Sequence, residues 1–213
     1  MNKQTFSVVC KKGQGNAIGN MLRTLAYTRI PCWRPIAYSI DKKVTNILHS
    51  EDTILQDMLE FSSNLSKLNF SCTKEIGSDY VVEHYNFVEE FTSSHIQKGS
   101  YITCDQADMP LLNSIKHETV GISIYYRKAY GVHTVDDNLN FLSSKGESRR
   151  EIKTMSSSHT VLKTFYYDVT DKNLDEEILN ITISSDTIEE KELLFESAKA
   201  SLTTLTNFIK NLE

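Results

Sequence analysis

Cysteine is scarce in this sequence: its 213 residues include only four, and no two of them form a CxxC pair. Zinc ribbons and thioredoxin-type redox sites need such pairs, so the spacing excludes both classes of site. Isolated cysteines in a chain of this size are typical of reduced, packed thiols in a reducing compartment. The four positions are Cys10, Cys32, Cys72 and Cys104.

The sequence also lacks long apolar runs and an excess of basic residues. Its apolar runs are only a few residues long, which excludes a segment that crosses a bilayer. The 23 lysines and arginines are outnumbered by 28 acidic residues, giving a net charge of −5. Proteins whose main surface binds nucleic acid usually show the opposite balance. With 39% hydrophobic and 24% charged residues, the composition is that of a folded protein with one large domain or two small ones.

Hydrophobic periodicity predicts three amphipathic helices, placed towards the two ends of the chain. The first follows a strand at residues 6–10 and a glycine turn, with Asn16 as its cap and Pro31 as its stop. The second covers residues 53–68, and the third follows a capping box formed by Thr187 and Glu190. Their apolar positions recur every three or four residues: Ile18, Met21, Leu22, Leu25 and Ala26; Ile54, Met58, Phe61, Leu65 and Leu68; Leu194, Ala198, Leu202, Leu205, Ile209 and Leu212.

The middle of the chain, residues 70–159, shows short strand-like runs and polar turns but no long helical stripe. We therefore predict an α+β fold with two domains. Residues 1–69 and 160–213 form a discontinuous domain around a helix–helix core, and residues 70–159 form an inserted β-rich domain.

The glycine turn at residues 13–19 offers one functional hypothesis. Gly13, Gly15 and Gly19 lie between a strand and a helix, where a nucleotide-binding unit holds pyrophosphate at the helix N-terminus. Their spacing misses the G-x-G-x-x-G fingerprint by one residue, and no further alternation of strands and helices follows. A plain strand–turn–helix connection is the favoured interpretation, and a small nucleotide-binding enzyme is the alternative.

Nothing else in the sequence requires catalysis. The six histidines are scattered without an HExxH motif or a pair four residues apart. Paired acids such as Asp136 and Asp137 are adjacent in sequence, which fits solvated turns and helix N-termini better than a general acid and base. We predict no catalytic residue, no cofactor and no metal.

Residues 13–25, GQGNAIGNMLRTL, resemble the segment G-x-G-(H/N)-T-L-G-N-x-L-R-R-x-L of the RNA polymerase alpha subunit. Four later segments resemble the same family in the same order, at residues 49–68, 98–105, 121–133 and 179–212. The first segment is fairly specific, the others are weak singly, and together they cover nearly the whole chain. The resemblance implies a discontinuous dimerisation domain with a β-rich insertion. This agrees with the order of helices and strands predicted from the hydrophobic pattern.

The resemblance also implies a function and two interfaces. The chain would be a subunit of DNA-directed RNA polymerase with no catalytic residues of its own, a homodimer that scaffolds the beta and beta′ subunits for transcription. DNA would be contacted only through the complex, and no membrane would be involved. The implied contact with the beta subunit comprises Gly19, Asn20, Arg23, Thr24 and Thr28. The implied dimer interface comprises Ile18, Leu22, Leu25, Leu194, Ala198, Leu202, Leu205 and Ile209.

Three departures from the family pattern matter. Thr24 stands where the family has the second arginine of an Arg-Arg pair that supports docking onto the beta subunit, so that contact is weakened or rebuilt. The chain ends after its last predicted helix, without the linker and C-terminal domain of bacterial relatives. The inserted domain has no cysteine cluster, unlike its archaeal and nuclear counterparts, which favours the bacterial or plastid branch.

The source compartment is inferred from what the sequence lacks. Residues 1–5 lead almost directly into a strand, with no signal or transit peptide. Together with the divergent motifs, this favours a plastid protein encoded in the organelle, with a bacterial cytoplasm as the alternative. A viral or nuclear-type relative that works as a heterodimer with a smaller partner is a further alternative.

Overall fold

The computed structural model describes residues 3–40, 58–114, 119–147, 152–185 and 190–210. Within these ranges the chain has five helices and thirteen strands, and every strand pairing is antiparallel. The helices are α1 Gly15–Thr28, α2 Met58–Lys67, α3 Ser93–Gln97, α4 Val135–Ser144 and α5 Glu190–Lys210. The strands are β1 Gln4–Lys11, β2 Cys32–Ile40, β3 Phe70–Cys72, β4 Tyr80–Phe87, β5 Glu90–Thr92, β6 Ile102–Cys104, β7 Pro110–Asn113, β8 Val120–Ala129, β9 Gly131–His133, β10 Lys153–Thr154, β11 Ser157–His159, β12 Leu162–Asp171 and β13 Glu176–Ser185. The chain is thus of the mixed α and β class with antiparallel sheets.

The chain divides into two compact units. Unit 1 comprises Met1–Pro31 and Thr160–Glu213, and unit 2 comprises Cys32–His159. The predicted first boundary, between residues 69 and 70, is therefore wrong. β2 lies between β10 and β8 inside a four-stranded sheet, and α2 packs on β2 and β7, so both elements belong to unit 2.

Unit 1 is a three-stranded sheet with two helices. The strand order is β1-β13-β12, and β13 alternates buried and half-buried residues along most of its length. α1 packs on β12 and β13, while α5 packs on α1 and β13. Its buried apolar side chains include Phe165, Leu179, Ile181 and Ile183 of the sheet and Leu193 of α5.

Unit 2 has a larger and more aromatic core. Its main sheet has the order β10-β2-β8-β4, and three two-stranded ladders surround it. Both faces of β2 are buried over most of its length because the strand is central. Tyr38 and Phe61 meet edge to face, with ring centroids 4.8 Å apart, and both are fully buried.

A buried carboxylate stabilises the inside of unit 2. The Oε1 atom of Glu83 accepts the backbone N–H groups of Tyr101 at 2.5 Å and Ile102 at 3.1 Å, and Oε2 accepts the hydroxyl of Tyr85 at 2.6 Å. A Cβ at Gly99 would collide with this carboxylate and with two carbonyl oxygens. The charge is buried with its hydrogen bonds satisfied, which is the condition for burying it at tolerable cost.

The structure corrects the sequence-based helices in three places. The helices α3 and α4 both lie in the region for which the sequence predicts only strands and polar turns. Helix α1 begins at Gly15, so Asn16 lies in its first turn and is not its cap. The part of the second helix before Met58 lies outside the described residues, as does Thr187 of the capping box predicted for the third helix.

Candidate subunit interface

The N-terminus of α1 is occupied by a carboxylate from its own unit. Glu177 of β13 is buried, and its Oε1 accepts the N–H of Gly15 at 2.5 Å. Hydrogen bonds from the N–H groups of Gly15 and Gly13 hold the pKa of Glu177 below its ordinary value. The position at which a helix N-terminus binds a phosphate is therefore filled by a side chain of the protein.

The two glycines that begin and continue α1 are explained by packing. A Cβ at Gly15 would lie 2.9 Å from Oε1 of Glu177, and a Cβ at Gly19 would lie 2.6 Å from the ring of Tyr167 on β12. Glycine at these positions lets the helix approach the sheet closely. Gly19, predicted to contact the beta subunit, thus faces the sheet of its own unit and is buried.

The other four residues predicted for the beta-subunit contact share one exposed strip of α1. Asn20, Thr24 and Thr28 follow each other at intervals of four, and Arg23 lies beside them. A guanidinium nitrogen of Arg23 donates to Oδ1 of Asn20 at 3.1 Å, and the Thr28 hydroxyl donates to the Thr24 carbonyl at 2.8 Å. The Arg23 guanidinium carbon also lies 5.8 Å from the centre of the Tyr167 ring. The structure places these polar groups on one surface.

The buried side of α5 combines one leucine with two serines. Leu193 and Ser197 are fully buried, and Ser201 is buried as well. The Ser197 hydroxyl donates to the Leu193 carbonyl at 2.8 Å, and the Ser201 hydroxyl donates to the Ser197 carbonyl at 2.9 Å. Hydroxyls that bond the carbonyl four residues earlier need no other partner, so they can be buried. The serines therefore form the inner side of this helix.

Much of the predicted apolar stripe of α5 is exposed. Leu202 is 66% exposed and Leu205 is 45% exposed, and Phe195 beside them is 61% exposed. Leu194 and Ala198 are half-buried. The side chain of Ile209, the last residue predicted for this interface, lies outside those that the structure describes. Leu202 and Leu205 are thus not part of the internal core of unit 1.

Helix α1 adds exposed apolar residues of its own, although two of the predicted interface residues are not among them. Leu22 and Leu25 are buried within unit 1 and have little surface left for a second copy. We use the name outer apolar face for the exposed apolar side chains of the two helices, which are Ile18, Met21, Tyr27, Phe195, Leu202 and Leu205.

Unit 2 brings a serine and a histidine together, but inside its core. The Ser157 hydroxyl lies 2.9 Å from Nε2 of His159, whose Nδ1 lies 3.0 Å from the carbonyl oxygen of Cys32. Since a carbonyl only accepts, Nδ1 carries the proton and Nε2 accepts the Ser157 hydroxyl. Burial lowers the pKa of His159 to about 4. Ser157 and His159 are both buried, so the pair stabilises the interior and is not arranged to receive a substrate.

No family model matches the sequence, and no curated protein matches it either. Within the described ranges, no three histidine, cysteine or acidic side chains are grouped as metal ligands, and no helix combines the length and apolar content needed to cross a membrane. The outer apolar face and the polar strip of α1 are therefore the features from which function is inferred.

Proposed function

We propose that this chain is a non-catalytic assembly subunit of a multisubunit DNA-dependent RNA polymerase, a homodimer that scaffolds the beta and beta′ subunits. The observation that carries the proposal is the exposure of Leu202 and Leu205 on α5, a helix that buries Ser197 and Ser201. The resemblance of residues 13–25 to the alpha subunit supports the same function. The discontinuous unit 1 and the inserted unit 2 are compatible with the fold of that family.

The outer apolar face is suited to a second copy of the chain. Burying an exposed leucine or phenylalanine side chain stabilises an association by about 1.5–3 kcal/mol. Two helices that pack on each other and both expose such residues form a surface that a two-fold axis can duplicate. Most soluble oligomers use this arrangement, and obligate interfaces of this kind resemble half of a core.

The polar strip of α1 is the proposed contact with the beta subunit. Arg23 is exposed and presents a planar, permanently charged group that binds carboxylates in bidentate fashion. Thr24, in the place of the family's second arginine, leaves this strip with a single positive charge. The proposed location is a plastid, with a bacterial cytoplasm as the alternative.

Two alternatives remain testable. A nucleotide-binding enzyme would need the N-terminus of α1, and Glu177 weighs against it because its carboxylate occupies that position. Saturable thermal stabilisation by NAD(P) or ATP would favour this alternative. A viral or nuclear-type heterodimer would contain one copy of the chain per polymerase, whereas our proposal requires two, and native mass spectrometry of the purified complex distinguishes them.

The dimer is tested by replacing Leu202 and Leu205 with glutamate. We expect the wild-type chain to be a dimer and the Leu202→Glu, Leu205→Glu variant to be a folded monomer, because four charges would be buried at the interface. Leu174→Glu is the matched control, since Leu174 is 93% exposed in the same unit. Native mass spectrometry and circular dichroism report association and folding. A dimer that persists in the double variant would show that this face is not the interface.

A further inference from the structure

The outer edge of β1 is open. β1 is the first strand of the order β1-β13-β12, so only one of its sides is paired within the described part of the chain. Its register with β13 runs without a shift from the pair Gln4 and Ile183 to the pair Lys11 and Glu176. The strand contains no proline, and Val8 and Val9 are each 48% exposed. A long, flat and partly apolar edge of this kind is a template for another strand.

One hydrogen bond shows which main-chain N–H and C=O groups of β1 point away from β13. The N–H of Lys12 donates to the carbonyl of Asp175 at 2.9 Å, which continues the ladder with β13. Hydrogen bonding alternates along an antiparallel strand, so the N–H and C=O groups of the odd-numbered residues point away from β13. These residues are Thr5, Ser7, Val9 and Lys11, of which Lys11 offers only its N–H because its carbonyl accepts the N–H of Gln14 at 3.1 Å.

The other edge of the same sheet is protected. β12 has a register shift between Leu162 and Thr164, and it carries Asp168 and Asp171. Bulges and charges are the usual means by which edge strands avoid pairing. Of the two edges of this sheet, β1 is the one that lacks a bulge.

The charges at the ends of β1 select the partner. Residues 3–12 include Lys3, Lys11 and Lys12 and no acidic residue, and only Lys12 has a described ion pair, with Asp171 at 2.8 Å. Antiparallel pairing of β1 with β1 of a second copy would bring the lysines at the ends of the two strands together, which is unfavourable. An acidic strand would meet opposite charges at the same positions.

We propose that the free edge of β1 binds an extended, acidic segment of a partner polypeptide by strand addition. Main-chain hydrogen bonds to the odd-numbered residues would supply the alignment, and carboxylates near Lys3 and Lys11 would supply the selectivity. This surface is separate from the outer apolar face, so the inference does not depend on the proposed polymerase function.

The test uses the full chain and a fluorescent nine-residue probe that alternates valine and threonine and has glutamates at both ends. We expect saturable binding by anisotropy, with affinity at least about tenfold lower for the Lys3→Glu, Lys11→Glu variant. The Lys67→Glu, Lys98→Glu variant is the matched control, because both lysines are exposed in unit 2, and it should bind like the wild type. Val9→Pro removes one outward N–H and should abolish binding while the ladder with β13 remains.

Modified probes keep the test decisive if Val9→Pro does not fold. Two further probes carry N-methyl groups on every second main-chain amide, one on the odd positions and the other on the even positions. Only one of these two sets of amides faces β1, so only one of the two probes should lose binding. Failure of the wild-type chain to reach saturation up to about 1 mM probe, or equal binding of both methylated probes, would overturn the proposal. Self-association abolished by Val9→Pro would also overturn it, by assigning the edge to a second copy.

Discussion

Unit 2 and unit 1 differ in where they place their largest apolar side chains. In unit 2, Tyr38 and Phe61 are fully buried and pack on each other. In unit 1, the longest helix buries Ser197 and leaves Phe195 and Leu202 more than half exposed. Unit 2 also exposes single apolar side chains such as Leu59, Tyr130 and Val132, whereas unit 1 exposes several on the two helices α1 and α5, which pack on each other.

The buried polar groups show the same difference. Glu83 in unit 2 accepts three hydrogen bonds, from the N–H groups of Tyr101 and Ile102 and from the hydroxyl of Tyr85, which links β4 to the segment at Tyr101 and Ile102. The buried serines of α5 bond only to carbonyls of their own helix. These bonds let α5 pack closely without adding a link to another element. We therefore expect unit 2 to determine the stability of the chain and unit 1 to determine its assembly.

The largest expected effect comes from one substitution made in each unit. Phe61→Ala removes a fully buried ring and should lower the free energy of unfolding by about 3–5 kcal/mol. Phe195→Ala removes a ring that is 61% exposed and should change monomer stability by less than about 1 kcal/mol while weakening the dimer. Urea unfolding at several protein concentrations measures both quantities. Equal losses of monomer stability would contradict the comparison.

Much of unit 1 could be predicted from its sequence, but the inner side of α5 could not. The spacing of Leu194, Ala198, Leu202 and Leu205 predicts a helix, and the structure contains α5 at these residues. Burial of Ser197 depends on its bond to a carbonyl four residues earlier, which hydrophobic periodicity does not detect. The role of Glu177 was also hidden, because it lies 162 positions from Gly15 in the sequence.

In unit 2 the sequence contains a pattern that indicates α4, although hydrophobic periodicity did not predict this helix. Thr134 and Asp137 form a capping box at the start of α4, and this pattern can be seen in the sequence. The position of β2 in the unit could not be predicted, because its neighbour β8 pairs with it from about 90 positions away. Long-range pairing of this kind decides where a domain begins.

The next largest effect expected is a loss of stability of unit 2 at low pH. His159 has a pKa of about 4 in the folded chain, against about 6.5 when unfolded. Between these values the unfolded chain binds more protons, so stability falls as the pH is lowered, by up to about 3 kcal/mol. The neighbouring His133, Arg127 and Arg34 further disfavour the charged form.

Urea unfolding at pH 7 and pH 4.5 measures this loss. The His159→Gln variant should lose the part of the pH dependence due to this residue, even though it is less stable at pH 7. His84→Gln should keep it, because His84 is exposed. An unchanged pH dependence in His159→Gln would show that protonation of this histidine does not limit the stability of unit 2.

The smallest effect on the fold, and the most specific on assembly, is expected for Arg23→Ala. Arg23 is exposed and bonds Asn20, so its removal should change the free energy of unfolding by less than about 0.5 kcal/mol. The dimer should persist, and co-purification with the beta subunit should weaken because a bidentate charged contact is lost. Lys67→Ala is the matched control, since Lys67 of α2 is exposed and bonds Asn64 in the same way.

Thr24→Arg restores the family's arginine pair and should strengthen co-purification if this strip is the docking surface. If Arg23→Ala, Lys67→Ala and Thr24→Arg all retain the beta subunit equally, the contact lies elsewhere on the chain.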